Sequence, residues 1–146
     1  MGWKGYKDLR KAMNRKYLPT LSELIDRLSI VQLKEVLIPE HKKEYSQEIK
    51  DMVHDIELML NEGVQINAEM VRAIVVLAQI NTHIWNNEAN YRKGIKEGNS
   101  LELTHGLNGI RCTAKNIIQG IAGGRKDYKI DCLAADFKDW EISWNE

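Results

Sequence analysis

Apolar residues recur at every third or fourth position along four long stretches of this 146-residue chain, and this spacing constrains its fold more than any other feature. In the first stretch, Leu21, Leu24, Ile25 and Leu28 fall on one face of a helix. Short polar connections join the stretches, and no region rich in strand-forming residues separates them. The pattern predicts an all-α fold, an up-and-down four-helix bundle around one apolar interior.

Residues typical of helix starts and helix ends predict the bounds of the first two helices. Pro19 is followed by Thr20-Leu-Ser-Glu23, which fits a capping box and predicts a helix over Leu21–Leu37. Pro39 can serve as the first residue of the second helix, and Gly63 is a natural residue to end it.

The third and fourth helices are predicted in the same way. Asn67 can cap a helix that runs to Arg92 or Lys93, and Ser100 can cap one that ends at Gly123-Gly124. Glycine inside a helix costs about 1 kcal/mol relative to alanine, so glycines there favour close helix packing over approach by a ligand. The interior glycines of the fourth helix are Gly106, Gly109 and Gly120. The apolar stripes predicted to face the interior also include Val36, Val53, Val71, Val75, Leu103, Ile110 and Ile117.

The two ends of the chain differ from the middle. We predict one domain over residues 1–146, with a bundle core over about residues 20–122 and a tail over 125–146. Lys4–Tyr17 could form a short basic helix, and Asp131–Lys138 another. An alternating apolar pattern near the C-terminus suggests an extended segment that closes the core or meets another subunit. Its residues are Trp140, Ile142 and Trp144.

Composition excludes several classes of function. The 21 basic and 21 acidic residues balance, which argues against general nucleic-acid binding. No apolar run reaches about 18 residues, so no membrane span is expected. Cys112 and Cys132 lack the spacing of a metal or redox motif. Two reduced cysteines are typical of a cytoplasmic protein, and we expect a soluble one.

Polar residues cluster in three groups along the predicted helices. The first group contains Asp26, Arg27, Ser29 and Lys34. The other two groups supply the candidate ligand-binding residues, which are Asn81, Trp85, Glu88, Arg92, Asn108, Arg111 and Lys115. Within each of these two groups the spacing of three or four residues places the candidate side chains on one helix face. They could form solvated faces, a buried network that sets the register of the bundle, or the lining of a polar pocket.

The pocket interpretation has a specific chemistry. Arg92, Arg111 and Lys115 carry positive charge, and Trp85 and Tyr91 are aromatic residues on the same helix as Arg92. Cations beside aromatic rings suit an anionic, planar ligand such as a nucleotide.

An enzymatic alternative rests on a set of acidic residues. Glu48, Asp51 and Asp55 approach the acidic pattern with which helical nucleotide pyrophosphohydrolases hold magnesium. The second acidic set of such enzymes is missing, because the following helix offers only Glu69 and Glu88. We therefore expect no catalytic residues, no metal site and no cofactor.

Three stretches together resemble a family. They are Leu21–Glu35 (LSELIDRLSIVQLKE), Ile80–Arg92 (INTHIWNNEANYR) and Leu107–Ile118 (LNGIRCTAKNII). They are similar to uncharacterised small all-helical proteins of large tailed phages and, more distantly, to bacterial helical proteins encoded near sugar-transfer genes. The resemblance implies a helical fold, a phage source and a place in the host cytoplasm, but no activity.

The leading hypothesis is a non-enzymatic phage accessory protein that acts by binding, as a homo-oligomer built on helix faces and the tryptophan tail. Its ligand could be a small anion such as a nucleotide. The alternatives are an interaction module for a host or virion protein, and a divergent magnesium-dependent nucleotide hydrolase.

Overall fold

A computed structural model of the protein describes residues 15–95 and 101–124. Helices account for most of this part, and it contains no strand, which confirms the all-α class. The helices are α1 (Leu21–Leu37), α2 (Lys42–Asn61), α3 (Ala68–Arg92) and α4 (Leu101–Ala122). Several predictions fall outside the described residues. They are the Ser100 cap, most of the Lys4–Tyr17 helix, the Asp131–Lys138 helix and the segment Trp140–Trp144.

Side-chain caps begin two of the helices where the sequence predicts them. The Thr20 hydroxyl accepts from the Glu23 amide at 3.3 Å, and the Glu23 carboxylate accepts from the Thr20 amide at 2.9 Å. The Asn67 side chain accepts from the Met70 amide at 2.9 Å. The capping box and the Asn67 cap are therefore confirmed, since each satisfies amides of a first turn.

The start of α2 differs from the prediction. Pro39 does not open α2 but begins a short 3₁₀ helix, Pro39–His41, and α2 starts at Lys42. The missing amide of a proline is tolerated at the start of either kind of helix, so the residue alone could not tell them apart.

Contacts between the helices determine their directions. Leu24 packs in one cluster with Met52, and Arg27 bonds to Glu48, so α1 and α2 are antiparallel. Near the start of α1, Leu21 packs in one cluster with Met70, Ala73 and Leu77 from the first half of α3. Further along, Asn81 reaches Ser29, so α1 and α3 run in the same direction.

Two apolar clusters form the core. The first lies between α1, α3 and α4, and its buried members are Leu21, Met70, Ala73, Leu77, Ala114 and Ile118. The second lies between α1 and α2, and its buried members are Leu24, Val31 and Met52. Among the described helices α1 packs closely against all three others, whereas the backbone of α2 approaches only that of α1.

Several residues of the predicted apolar stripes lie on the outside of the structure. These are Val36, Val53, Val71, Val75, Leu103, Ile110 and Ile117. Met70 and Ala73 occupy buried positions of α3 instead. Each helix turns only part of its circumference toward its neighbours, so an apolar stripe wider than that part must reach solvent.

The interior glycines of α4 do not serve helix packing within the chain. A Cβ atom built at Gly106 or Gly109 would meet no other atom within 4 Å. Close packing against another helix of the same chain is therefore not found at these two positions.

Candidate binding site

A row of polar residues on α1 faces α4. The backbone amide of Ser22 donates to Gln119 at 3.2 Å, and Asp26, one turn later, contacts Arg111. These contacts show that α4 is antiparallel to α1. Ser22, Asp26 and Gln119 are all buried. The buried contact of α1 with α4 is thus partly polar, whereas its buried contact with α2 is apolar and the Arg27–Glu48 pair lies at the surface.

Asp26 lies at the centre of this polar contact. Arg111 donates from Nε to Asp26 Oδ1 at 2.9 Å and from Nη2 to Asp26 Oδ2 at 2.5 Å. The side chain of Asp26 is 8% exposed and that of Arg111 is 27% exposed. This two-point contact fixes the angle of the guanidinium as well as its distance, so it holds α4 in one position along α1.

Asn81 joins α3 to the same carboxylate. Its Nδ2 atom donates to Asp26 Oδ1 at 2.9 Å and to Ser29 Oγ at 2.6 Å. The Ser29 hydroxyl in turn donates to the backbone carbonyl of Asp26 at 2.8 Å. One buried carboxylate thereby links α1, α3 and α4, and both hydrogens of the Asn81 amide group are used.

Two further residues surround the ion pair. Arg111 Nη1 lies 3.5 Å from Asn108 Oδ1, a long hydrogen bond. Lys115 Nζ lies 4.0 Å from Asp26 Oδ2, at the limit of an ion pair. We name the set Asp26, Ser29, Asn81, Asn108, Arg111 and Lys115 the Asp26 network.

The network changes the acid–base properties of its two central groups. Burial by itself raises the pKa of Asp26, but hydrogen bonds from Arg111 and Asn81, with the charges of Arg111 and Lys115, bring that pKa below its ordinary value. The hydrogen bond to Asp26 raises the pKa of Arg111, against the opposite effect of burial. Asp26 and Arg111 are therefore both charged near neutral pH.

The seven predicted site residues separate into two places. Asn81, Asn108, Arg111 and Lys115 belong to the Asp26 network. Trp85 is half-buried on α3 outside these contacts. Glu88 and Arg92 lie at the surface as an ion pair of 3.8 Å, and the Arg92 side chain is 76% exposed. The charge of Glu88 still helps to raise the pKa of Arg111.

Asp26, the central residue of the network, is not among the seven site residues predicted from the sequence. The sequence contains a signal for it, because Ser22, Asp26 and Ser29 recur at the same spacing as the apolar residues of α1. A short polar row beside an apolar stripe indicates a second contact face. Which helix carries the matching cation depends on tertiary structure.

A surface hollow of about 320 Å³ lies beside the Glu88–Arg92 pair. Its lining residues are Glu88, Tyr91, Arg92 and Thr104, from the end of α3 and the start of α4. Arg111 is not among them, because its guanidinium points to Asp26. The hollow therefore contains one of the three cations expected to bind an anion together.

The acidic residues of α2 do not assemble into a metal site. Glu48 accepts from Arg27 Nη2 at 2.6 Å, Asp51 from Gln47 at 3.0 Å, and Asp55 lies 3.2 Å from His54. Within residues 15–95 and 101–124, no three acidic, histidine or cysteine side chains are grouped so that they could hold a metal ion. The helices of the same part are too short or too polar for a membrane crossing.

An apolar groove of about 200 Å³ runs between α3 and α4. Its lining residues are Glu69, Arg72, Ala73, Val76, Ile110, Thr113, Ala114 and Ile117. Ile110 is 46% exposed and Ile117 is 36% exposed, on the side of α4 that faces solvent. We name it the α3–α4 groove. Its two charged lining residues, Glu69 and Arg72, both belong to α3, whereas its α4 side carries no charge.

Comparison of the chain with models of known protein families, with curated proteins and with solved structures finds no match in any of the three.

Proposed function

We propose that this protein is a non-enzymatic binding protein that presents the α3–α4 groove to a helix of a protein partner. The observation that carries the proposal is the pair of aliphatic side chains, Ile110 and Ile117, half-exposed one above the other along an open groove. Aliphatic residues at a spacing of seven are anchors of the kind that bind a helix in a groove.

The Asp26 network supports this proposal by its position. Its contacts lie on the face of α4 that meets α1, whereas Ile110, Thr113 and Ile117 line the groove on another face. The network pairs the charge of Arg111 with Asp26 inside the protein. It also holds α4 firmly against α1 and α3. Because α4, one side of the groove, is already held in place, less entropy is lost when a partner binds.

Three further features belong to the proposal. The alternating helix directions support an up-and-down four-helix bundle as the working form of the protein. The exposed groove supports a homo-oligomer or a host-protein or virion-protein complex. The sequence resemblance supports a phage protein in the host cytoplasm.

A photo-cross-linking residue in place of Thr113 tests the proposal in bacterial cells. Thr113 lies in the groove, and Lys50, exposed on α2, is the matched control position. We expect a discrete cross-linked protein from position 113, lost when Ile117→Glu is added and absent from position 50. A position 113 that yields no more cross-linked protein than position 50 would remove the proposal.

A small anion is the second candidate function, because the hollow at Tyr91 and Arg92 offers an aromatic ring beside an exposed guanidinium. A thermal-shift series with mono-, di- and triphosphate nucleotides tests it. We expect stabilisation that Arg92→Ala abolishes and that Arg27→Ala, at another exposed arginine, leaves intact. No shift with any nucleotide would count decisively against this candidate.

A further inference from the structure

One face of α4 alternates large and small residues in a heptad pattern. Its positions, separated by three or four residues in turn, are Leu103, Gly106, Ile110, Thr113, Ile117 and Gly120. All six are exposed, and the three aliphatic residues are 42%, 46% and 36% exposed. A repeat of seven keeps such a row on one side of a helix, so it forms one continuous strip. We name it the α4 strip.

The α4 strip is complementary to itself. When a second copy of α4 lies antiparallel, with its two-fold axis between Arg111 and Cys112, every large residue faces a small one. Leu103 then faces Gly120 of the second copy, Ile110 faces Thr113, and Ile117 faces Gly106. A two-fold axis repeats each of these contacts in the other direction. From this match we propose that the α4 strip is the site at which two copies of this chain associate.

The small positions of the strip can accept a second helix. A Cβ atom at Gly106 would meet nothing within 4 Å inside its own chain, so the space above this residue is open. The Thr113 hydroxyl donates to the carbonyl of Gly109 at 3.1 Å, which leaves its methyl group as the outer contact. Small residues allow two helix backbones to approach closely, and large residues of the other helix fill the space above them.

The dimensions of the strip set the strength of the dimer. Its 18 residues from Leu103 to Gly120 extend about 26 Å, and a helix is about 10 Å wide, so each copy buries roughly 260 Å² along it. A standard interface buries about 800 Å² on each partner. Even with added contacts from the α3 side of the groove, the association belongs among weak ones, seen at high protein concentration.

The inference rests on the proposed function of the α3–α4 groove and names the occupant as a second copy. Sedimentation of the purified chain from about 1 to about 500 µM tests it. We expect the mean mass to rise toward that of a dimer. Gly106→Leu should hold the mass at that of a monomer while the helical circular dichroism is unchanged, because leucine has space in the monomer but fills the position of Ile117 of the second copy. Lys50→Leu controls for an added leucine elsewhere.

Disulfide formation tests direction and register in a chain with Cys112→Ala and Cys132→Ala. Gly106→Cys and Ile117→Cys should cross-link when the two variants are mixed. Alone, neither should do so, because like positions lie about 16 Å apart along the helix axis, beyond the roughly 7 Å that a disulfide spans between Cα atoms. Cross-links within each variant alone would indicate parallel helices and overturn the register.

The outcomes separate the two claims. A chain that stays monomeric across the whole concentration range overturns the dimer. If position 113 still cross-links a different protein, the groove remains a binding site. If the chain stays monomeric and position 113 cross-links nothing, both claims are wrong.

Discussion

Replacement of Asp26 by alanine should be the most destabilising single change in the polar part of the core. The substitution removes the acceptor of two hydrogen bonds from Arg111 and one from Asn81, and it leaves Arg111 and Lys115 without the carboxylate that both approach. Loss of one partner of a buried ion pair costs about 3–5 kcal/mol. Because the Arg111 side chain is 27% exposed and can turn partly to water, we expect about 3–4 kcal/mol.

Urea denaturation followed by circular dichroism near pH 7 measures this loss. Glu48→Ala is the control, since it breaks the Arg27–Glu48 pair, whose arginine is 60% exposed, and should cost less than about 1 kcal/mol. Arg111→Ala and the double variant complete a thermodynamic cycle. The two single losses should fail to add by more than about 1 kcal/mol, since each strands the other charge. Additive losses, or an Asp26→Ala cost near that of Glu48→Ala, would refute the assignment of Asp26 as the centre of the network.

Three other predictions concern pH, helix propensity and capping. The folded-state pKa of Asp26 is below the ordinary aspartate value of 3.8, so its contribution to stability is full above that pH and is lost as the pH falls through the folded pKa. The stability difference between wild type and Asp26→Asn in an acid titration should therefore narrow only below about pH 3.8. Gly109→Ala should raise the free energy of unfolding by about 0.5–1 kcal/mol, because its Cβ meets open space; a loss of stability in urea would reveal a contact at this position. Thr20→Ala should lower the melting temperature through the loss of about 1 kcal/mol of N-capping, and Thr20→Ser should restore most of it.

Local sequence signals predicted the helix ends well. The capping box at Thr20 and the cap at Asn67 act over three residues of the same chain, so the residues that decide these ends are adjacent in sequence. The bounds of α1 and the end of α3 at Arg92 agree with the prediction for this reason. Pro39 was less informative, because proline is compatible with the first turn of more than one kind of helix.

The assembly of the site was harder to predict, because it depends on contacts between residues far apart in sequence. Asn108, Arg111 and Lys115 share one face of α4, and their spacing shows this. That this face meets Asp26, 85 positions before Arg111, follows only from the packing of α4 against α1. Apolar periodicity also identified the three aliphatic residues of the α4 strip. It did not show that they face solvent, since an interior and an interface use the same pattern.

Among the described long helices, the backbone of α2 approaches only that of α1, and this has a consequence for how the protein opens. Unfolding of α2 would uncover Leu24 and Val31, and it would remove the Ile56 and Met59 side chains that pack against the first cluster, whose buried residues all come from the other three helices. We therefore expect a state with α2 melted and the rest assembled to require less free energy than one in which α1, α3 or α4 melts. Deuterium should therefore replace the amide hydrogens of α2 earlier than those around Leu77. This one helix would unfold and refold many times in the lifetime of a single folded molecule.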